Sequence, residues 1–153
     1  MHERLRATAH AASFSEADGT FILVPFGAEA INEIISKLKS QDVNRVDAMV
    51  SILSFCSIPR AEKAVPALIN RLLKEEGGKL LYYEHVRAKR DDVCWWQDRW
   101  VPIWRFFFGG CVVGQPTDLW IASMGCWGKT EQIRQEGEEE SIFPHSIGHF
   151  IRA

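Results

Sequence analysis

The sequence predicts an α/β domain built on a mainly parallel sheet, and three observations predict it. Residues 20–24, 47–53 and 79–84 are short runs dominated by apolar and β-forming side chains. Such near-continuous runs fit strands buried on both faces in a parallel sheet better than the alternating pattern of an exposed hairpin. Between them, residues 30–38 and 61–73 place apolar side chains three and four positions apart, the spacing of amphipathic helices. The resulting order, strand, helix, strand, helix, strand, is that of right-handed crossover units.

Each element follows from its residues. Residues 3–12 alternate charge and alanine and predict a helix, and residues 13–19 predict a loop that turns at Gly19. The first strand carries Phe21, Ile22, Leu23 and Val24, and the next helix carries Ile31, Ile34, Ile35 and Leu38 on one face. A polar break at 42–44 precedes the strand 47–53. The helix 61–73 then aligns Ala64, Val65, Leu68 and Leu72, with Pro66 expected in its first turn, where a missing N–H costs least. Gly77-Gly78 supplies a left-handed helix stop ahead of the strand 79–84.

Beyond residue 90 the pattern changes. Residues 92–108 predict an aromatic helix kinked or broken at Pro102 and ended by Gly109-Gly110, and residues 117–124 predict a helix ending at Gly125. Residues 127–134 and 147–152 predict two strands closed into an antiparallel C-terminal hairpin by the polar loop 135–140. No repeat or low-complexity linker divides the chain, so residues 1–153 are expected to form a single domain with helices on the faces of its sheet.

Composition sets the outer bounds. The 153 residues are 46% hydrophobic and 25% charged, as in a folded globular chain. The net charge of -2 gives no global attraction for nucleic acid or for an anionic membrane. The start lacks the apolar core of a signal peptide, and the longest apolar run, near 105–113, is too short and interrupted for a transmembrane segment. These features predict a cytoplasmic protein. Cys56, Cys94, Cys111 and Cys126 are far apart and form no CxxC pair, which argues against a zinc site and against a disulfide framework. All six tryptophans fall between Trp95 and Trp127, an aromatic crowd that can line a ligand pocket, face a partner, or thicken a core.

Three blocks carry a resemblance. Residues 46–59 run from Val46-Asp47 through the apolar strand to Ser54-Phe55-Cys56-Ser57-Ile58-Pro59. Residues 73–86 run from Leu73-Lys74 through Gly77-Gly78 to Glu84-His85-Val86. Residues 104–111 combine Trp104 with Gly109-Gly110-Cys111. In this order and spacing they resemble the fourth strand, the fifth strand and a tryptophan to glycine-cysteine element of the class I S-adenosylmethionine-dependent methyltransferases. The last of these elements resembles the one found in the subgroup of methyltransferase-like and fungal small-molecule enzymes. Pro144-His145 and Gly148 are similar to that subgroup's last strand, and residues 21–29 fit its third strand and turn.

The resemblance implies a partial Rossmann-like fold and S-adenosyl-L-methionine as cofactor. It implies a methyltransferase acting on a small-molecule acceptor in a biosynthetic pathway. One feature departs from it: none of the eleven glycines lies in a GxGxG-type loop, whose backbone would approach the cofactor. The chain therefore reads as an N-terminally truncated member. The alternative is a catalytically inactive truncated pseudo-methyltransferase serving as a partner or scaffold subunit, or a gene-model fragment, and cofactor binding by this chain alone is in doubt. Ala28 and Glu29, after the turn at Gly27, and Leu53 and Ser54, ending the fourth strand, are the cofactor-binding candidates. His85 is the catalytic candidate, as general base or as an orienting group. Cys56 and Cys111 read as buried small hydrophobes. An incomplete sheet would expose residues 48–53 as an edge, to be covered by residues 20–24, by a protein partner or by self-association.

Overall fold

The computed structural model describes residues 2–153; Met1, where the resemblance has the chain entering its fold, lies outside them. Nine regular elements follow one another: α1 (His2–Ala11), α2 (Ile31–Lys39), β1 (Ala48–Ile52), α3 (Ala61–Leu72), β2 (Lys79–His85), α4 (Asp91–Phe107), α5 (Thr117–Ala122), β3 (Trp127–Arg134) and β4 (His145–Arg152). A short 3-10 helix, Phe55–Ser57, links β1 to α3.

The strands form one sheet in the order β1-β2-β4-β3. β1 and β2 run parallel, with Ala48 opposite Lys79 and Ile52 opposite Tyr83, and α3 makes the crossover between them. β4 lies antiparallel between β2 and β3. The C-terminal hairpin is thus where the sequence places it, but the sheet is mixed rather than mainly parallel.

The missing parallel strand is the first one. Residues 20–24 pair with no strand. Leu23 is buried, and Val24 packs on Ile34, Leu68 and Leu72 of α2 and α3. The apolar run is satisfied by helices rather than by a ladder, and hydrophobic periodicity does not distinguish these two forms of burial. β1 consequently forms one edge of the sheet.

One face of the sheet is covered. Val65 and Ile69 of α3 and Ile121 of α5 close over Leu80, Tyr82 and Phe150. The opposite face carries a row from strand to strand, Ile52, Tyr83, Ile147 and Ile133, set by the pairing register. Ile52 is 62% and Ile133 65% exposed, and Val50 beside them is 66% exposed. Helices therefore cover one face of the sheet and not both.

Pro66 sits deeper than expected, and the break expected at Pro102 does not form. Pro66 is the sixth residue of α3, and Pro102 lies inside an unbroken α4. Each forgoes a backbone hydrogen bond. The expected aromatic crowd divides. Trp120 and Trp127 join the main core, while Trp95, Trp96 and Trp100 lie exposed on α4.

Candidate functional site

In a parallel pair, loops leaving the C-terminal strand ends converge on one edge, the usual place for ligands. Here that edge is organised by Glu84, which is fully buried near the end of β2. Its Oε1 accepts three hydrogen bonds from the neighbouring β1 and its loop: from Ser51 Oγ at 2.6 Å, Ser54 N–H at 2.9 Å and Phe55 N–H at 3.1 Å. The chain leaving β1 turns sharply under this constraint. Leu53 takes a positive φ of 48°, costly for a branched side chain, and its N–H still reaches the Tyr83 carbonyl.

The 3-10 turn that follows carries Cys56 into the interior. The Val112 N–H donates to the Cys56 carbonyl at 2.9 Å, which docks the segment after α4 against this turn. Gly109 and Gly110, both with positive φ, reverse the chain out of α4 and set Cys111 opposite Cys56. The two Sγ atoms are 3.0 Å apart. His85, the last residue of β2, completes a triangle with Nδ1 3.7 Å from each sulfur.

The surroundings are aromatic. Trp104 stacks on Phe108 with ring centroids 3.7 Å apart and packs beside Phe143. His85 lies against His145 at 4.7 Å, and Tyr83 stacks on His145 at the same distance. Gln97, fully buried on α4, holds the adjoining loops: it donates to the Val86 and Ile142 carbonyls and accepts from the Ala88 N–H. At 3.0 Å the two thiols share a hydrogen. That contact with Cys56, with help from His85, lowers the Cys111 thiol well below the ordinary range. The same interaction together with burial pushes the Cys56 thiol well above the ordinary range.

His145 also lines a groove of about 660 Å³, within the size range of small-molecule sites. Ala88, Arg90, Ile133, Arg134 and Glu138 form other parts of its wall. Arg134 is held from below by the buried Asp118, at 2.7 Å.

The five candidate residues named from the sequence divide between two places. Leu53, Ser54 and His85 meet at the strand ends. Ala28 packs into the core between Phe55 and α2, and Glu29 is exposed, its carboxylate folded back over Gly27. The Ser54 N–H is spent on Glu84 and its Oγ on the Ile52 carbonyl, and the Leu53 N–H is spent on Tyr83. Sequence spacing also missed the meeting of Cys56 with Cys111. They lie 55 positions apart, and the absence of a CxxC pair says nothing about cysteines joined through tertiary structure. The available signal was that Cys56, His85 and Cys111 lie near the ends of the three blocks singled out in the sequence.

No family profile and no curated protein matches the chain. Among solved structures, the chain is similar to BH2331 of Bacillus halodurans C-125, described as a methyltransferase candidate. The identity is 11%, 85% of this chain and 73% of that chain are covered, and the TM-score is 0.46. It is also similar to the YcgJ protein of Bacillus subtilis at 13% identity, covering 93% of this chain and 76% of that one with a TM-score of 0.49.

Proposed function

We propose that the chain is a methyltransferase-like protein that takes a small apolar molecule as acceptor, within a biosynthetic pathway, and that these residues alone hold S-adenosylmethionine weakly. The observation that carries the reading is the convergence of the three family-like blocks. Residues 46–59, 73–86 and 104–111 are separate in sequence, yet each sends one functional side chain, Cys56, His85 or Cys111, to the same strand edge. The aromatic wall of Trp104, Phe108 and Phe143 provides apolar contact there. The groove at His145 offers a volume suited to a small molecule.

In this reading the chain's own residues position and do not bind the nucleoside. Glu84 holds the β1 turn, Gln97 holds α4 against the strand ends, and His85 orients an acceptor hydroxyl or thiol or takes its proton. Methyl transfer from a sulfonium needs positioning more than acid-base help, so an orienting role suffices for His85. Four free cysteines suit a reducing compartment, and we place the protein in the cytoplasm. Among the described residues no helix is long and apolar enough to cross a membrane.

The test is NMR titration of the full chain with the cofactor and with a panel of small apolar alcohols and thiols. We expect cofactor affinity no tighter than about 1 mM and acceptor-induced shifts at His85, Trp104 and His145. Micromolar cofactor binding would overturn the first half. Panel compounds that leave these residues unmoved would overturn the second and favour a scaffold role.

A further inference from the structure

We propose that Cys56, His85 and Cys111 form a binding site for a zinc ion, with the fourth coordination position left to water or a ligand. The inference uses the same three side chains as the methyltransferase-like reading but rests on their donor geometry alone. Its first support is the chemistry of the set. Among the described residues, these three side chains are the group of histidine, cysteine and carboxylate donors that converges closely enough to hold an ion. Two thiolates and an imidazole favour a borderline-soft ion such as zinc over magnesium or calcium, which take oxygen ligands.

The second support is distance. The triangle has sides of 3.0, 3.7 and 3.7 Å. A point equidistant from its corners lies about 2.0 Å from each, close to a zinc–nitrogen bond and slightly inside a zinc–sulfur bond of about 2.3 Å. An ion at proper bond lengths therefore stands just out of the plane of the three donors, as it does above three corners of a tetrahedron. Only the sulfurs must move, parting by about 0.8 Å to reach tetrahedral separation. The set is also pre-placed. Cys56 and Cys111 are 1% and 6% exposed, and their backbones are joined by the hydrogen bond from Val112 to Cys56.

The third support is the surrounding shell. Trp104 packs on the cysteine pair, and its indole Nε1 is buried without a hydrogen-bond partner. A metal-bound thiolate accepts such a donor, and outer-shell donors of this kind orient and tune metal ligands. The His85 ring packs against the tilted rings of His145 and Phe143, which restrict its rotation.

The experiment is metal titration of the full, reduced chain after chelator treatment, with cobalt(II) as the spectroscopic probe and zinc as competitor. We expect one cobalt per chain, showing the thiolate charge-transfer band and intense visible bands of a tetrahedral site, displaced by one equivalent of zinc. Cys56→Ser, Cys111→Ser and His85→Gln should each abolish the tetrahedral spectrum, while Cys94→Ser and Cys126→Ser should leave it unchanged. Circular dichroism checks that each variant is folded. An unfolded variant does not weaken the test, because the wild-type titration decides by itself. A reduced, folded wild-type chain that binds no cobalt would overturn the proposal. So would a tetrahedral spectrum that persists in folded Cys56→Ser or Cys111→Ser, or a Cys56–Cys111 disulfide as the stable form under reducing conditions.

Discussion

Replacing Glu84 by alanine should cost a large part of the protein's stability without disturbing its surface. The carboxyl oxygen Oε1 takes hydrogen bonds from one hydroxyl and two backbone N–H groups, all from β1 and the turn after it. Alanine strands both N–H groups, and a buried donor left unpaired costs about 1–3 kcal/mol. The Ser51 hydroxyl can rotate toward another acceptor, but the Phe55 N–H is buried and fixed in its turn. A central value for the two backbone donors is about 3–4 kcal/mol, with loss of the side chain's packing additional. Against a typical domain stability of about 5–15 kcal/mol this is a severe lesion. Glu84→Gln keeps an acceptor in the same place, so it should cost roughly half as much or less. Urea unfolding followed by circular dichroism measures both. An alanine variant within about 1 kcal/mol of wild type, or a glutamine variant worse than alanine, would refute the claim that Glu84 acts by accepting bonds from the β1 turn.

Three further outcomes follow from other buried groups. Arg134→Met should destabilise by about 3–5 kcal/mol, because it leaves the Asp118 carboxylate, 1% exposed, without its cation. The double variant Arg134→Met with Asp118→Leu should recover much of that loss in a double-mutant cycle, and strictly additive losses would refute the pairing. Gly148→Ala should cost about 1–3 kcal/mol in thermal melts, since a methyl group there would run into the Tyr82 ring lying across it on β2. An unchanged melting temperature would show that the ring moves aside freely. Burial pushes the Tyr82 hydroxyl from 10.0 to about 12. The folded form therefore keeps a proton that the unfolded chain releases: this contribution is intact below pH 10 and is lost as the pH rises toward 12, amounting to about 2–3 kcal/mol there. Tyr82→Phe should remove that part of the alkaline decline, and a variant with the same pH dependence as wild type would assign the decline elsewhere.

How much of this was legible in the residues depends on the range of the interaction. Helical periodicity placed α2, α3, α4 and α5 within one or two residues at most ends, because local spacing alone decides which side of a helix is apolar. The C-terminal hairpin was legible for the same reason, its two strands lying close in sequence with a polar loop between them. The failure at residues 20–24 is equally physical. Leu23 and Val24 announce burial, but an apolar run states that it must leave water and not whether a strand or a helix will cover it. The mixed character of the sheet was decided by β4 taking the place beside β2, a choice set by pairing between residues sixty or more positions apart.

The candidate site divides along the same line. His85 at the end of a strand, and Leu53 and Ser54 at the end of another, could be named because strand ends are local features. That Ser54 bonds to Glu84 and Ile52 could not, since it depends on which neighbour β1 adopts. By itself the sequence determined which segments outside 20–24 are helical or extended, and which residues leave water. Only the tertiary structure decided that Cys56, His85 and Cys111 share one point in space. Cys56 lies in the 3-10 turn, His85 ends β2 and Cys111 follows α4, and their separation is set by strand pairing and helix docking, which no local pattern encodes.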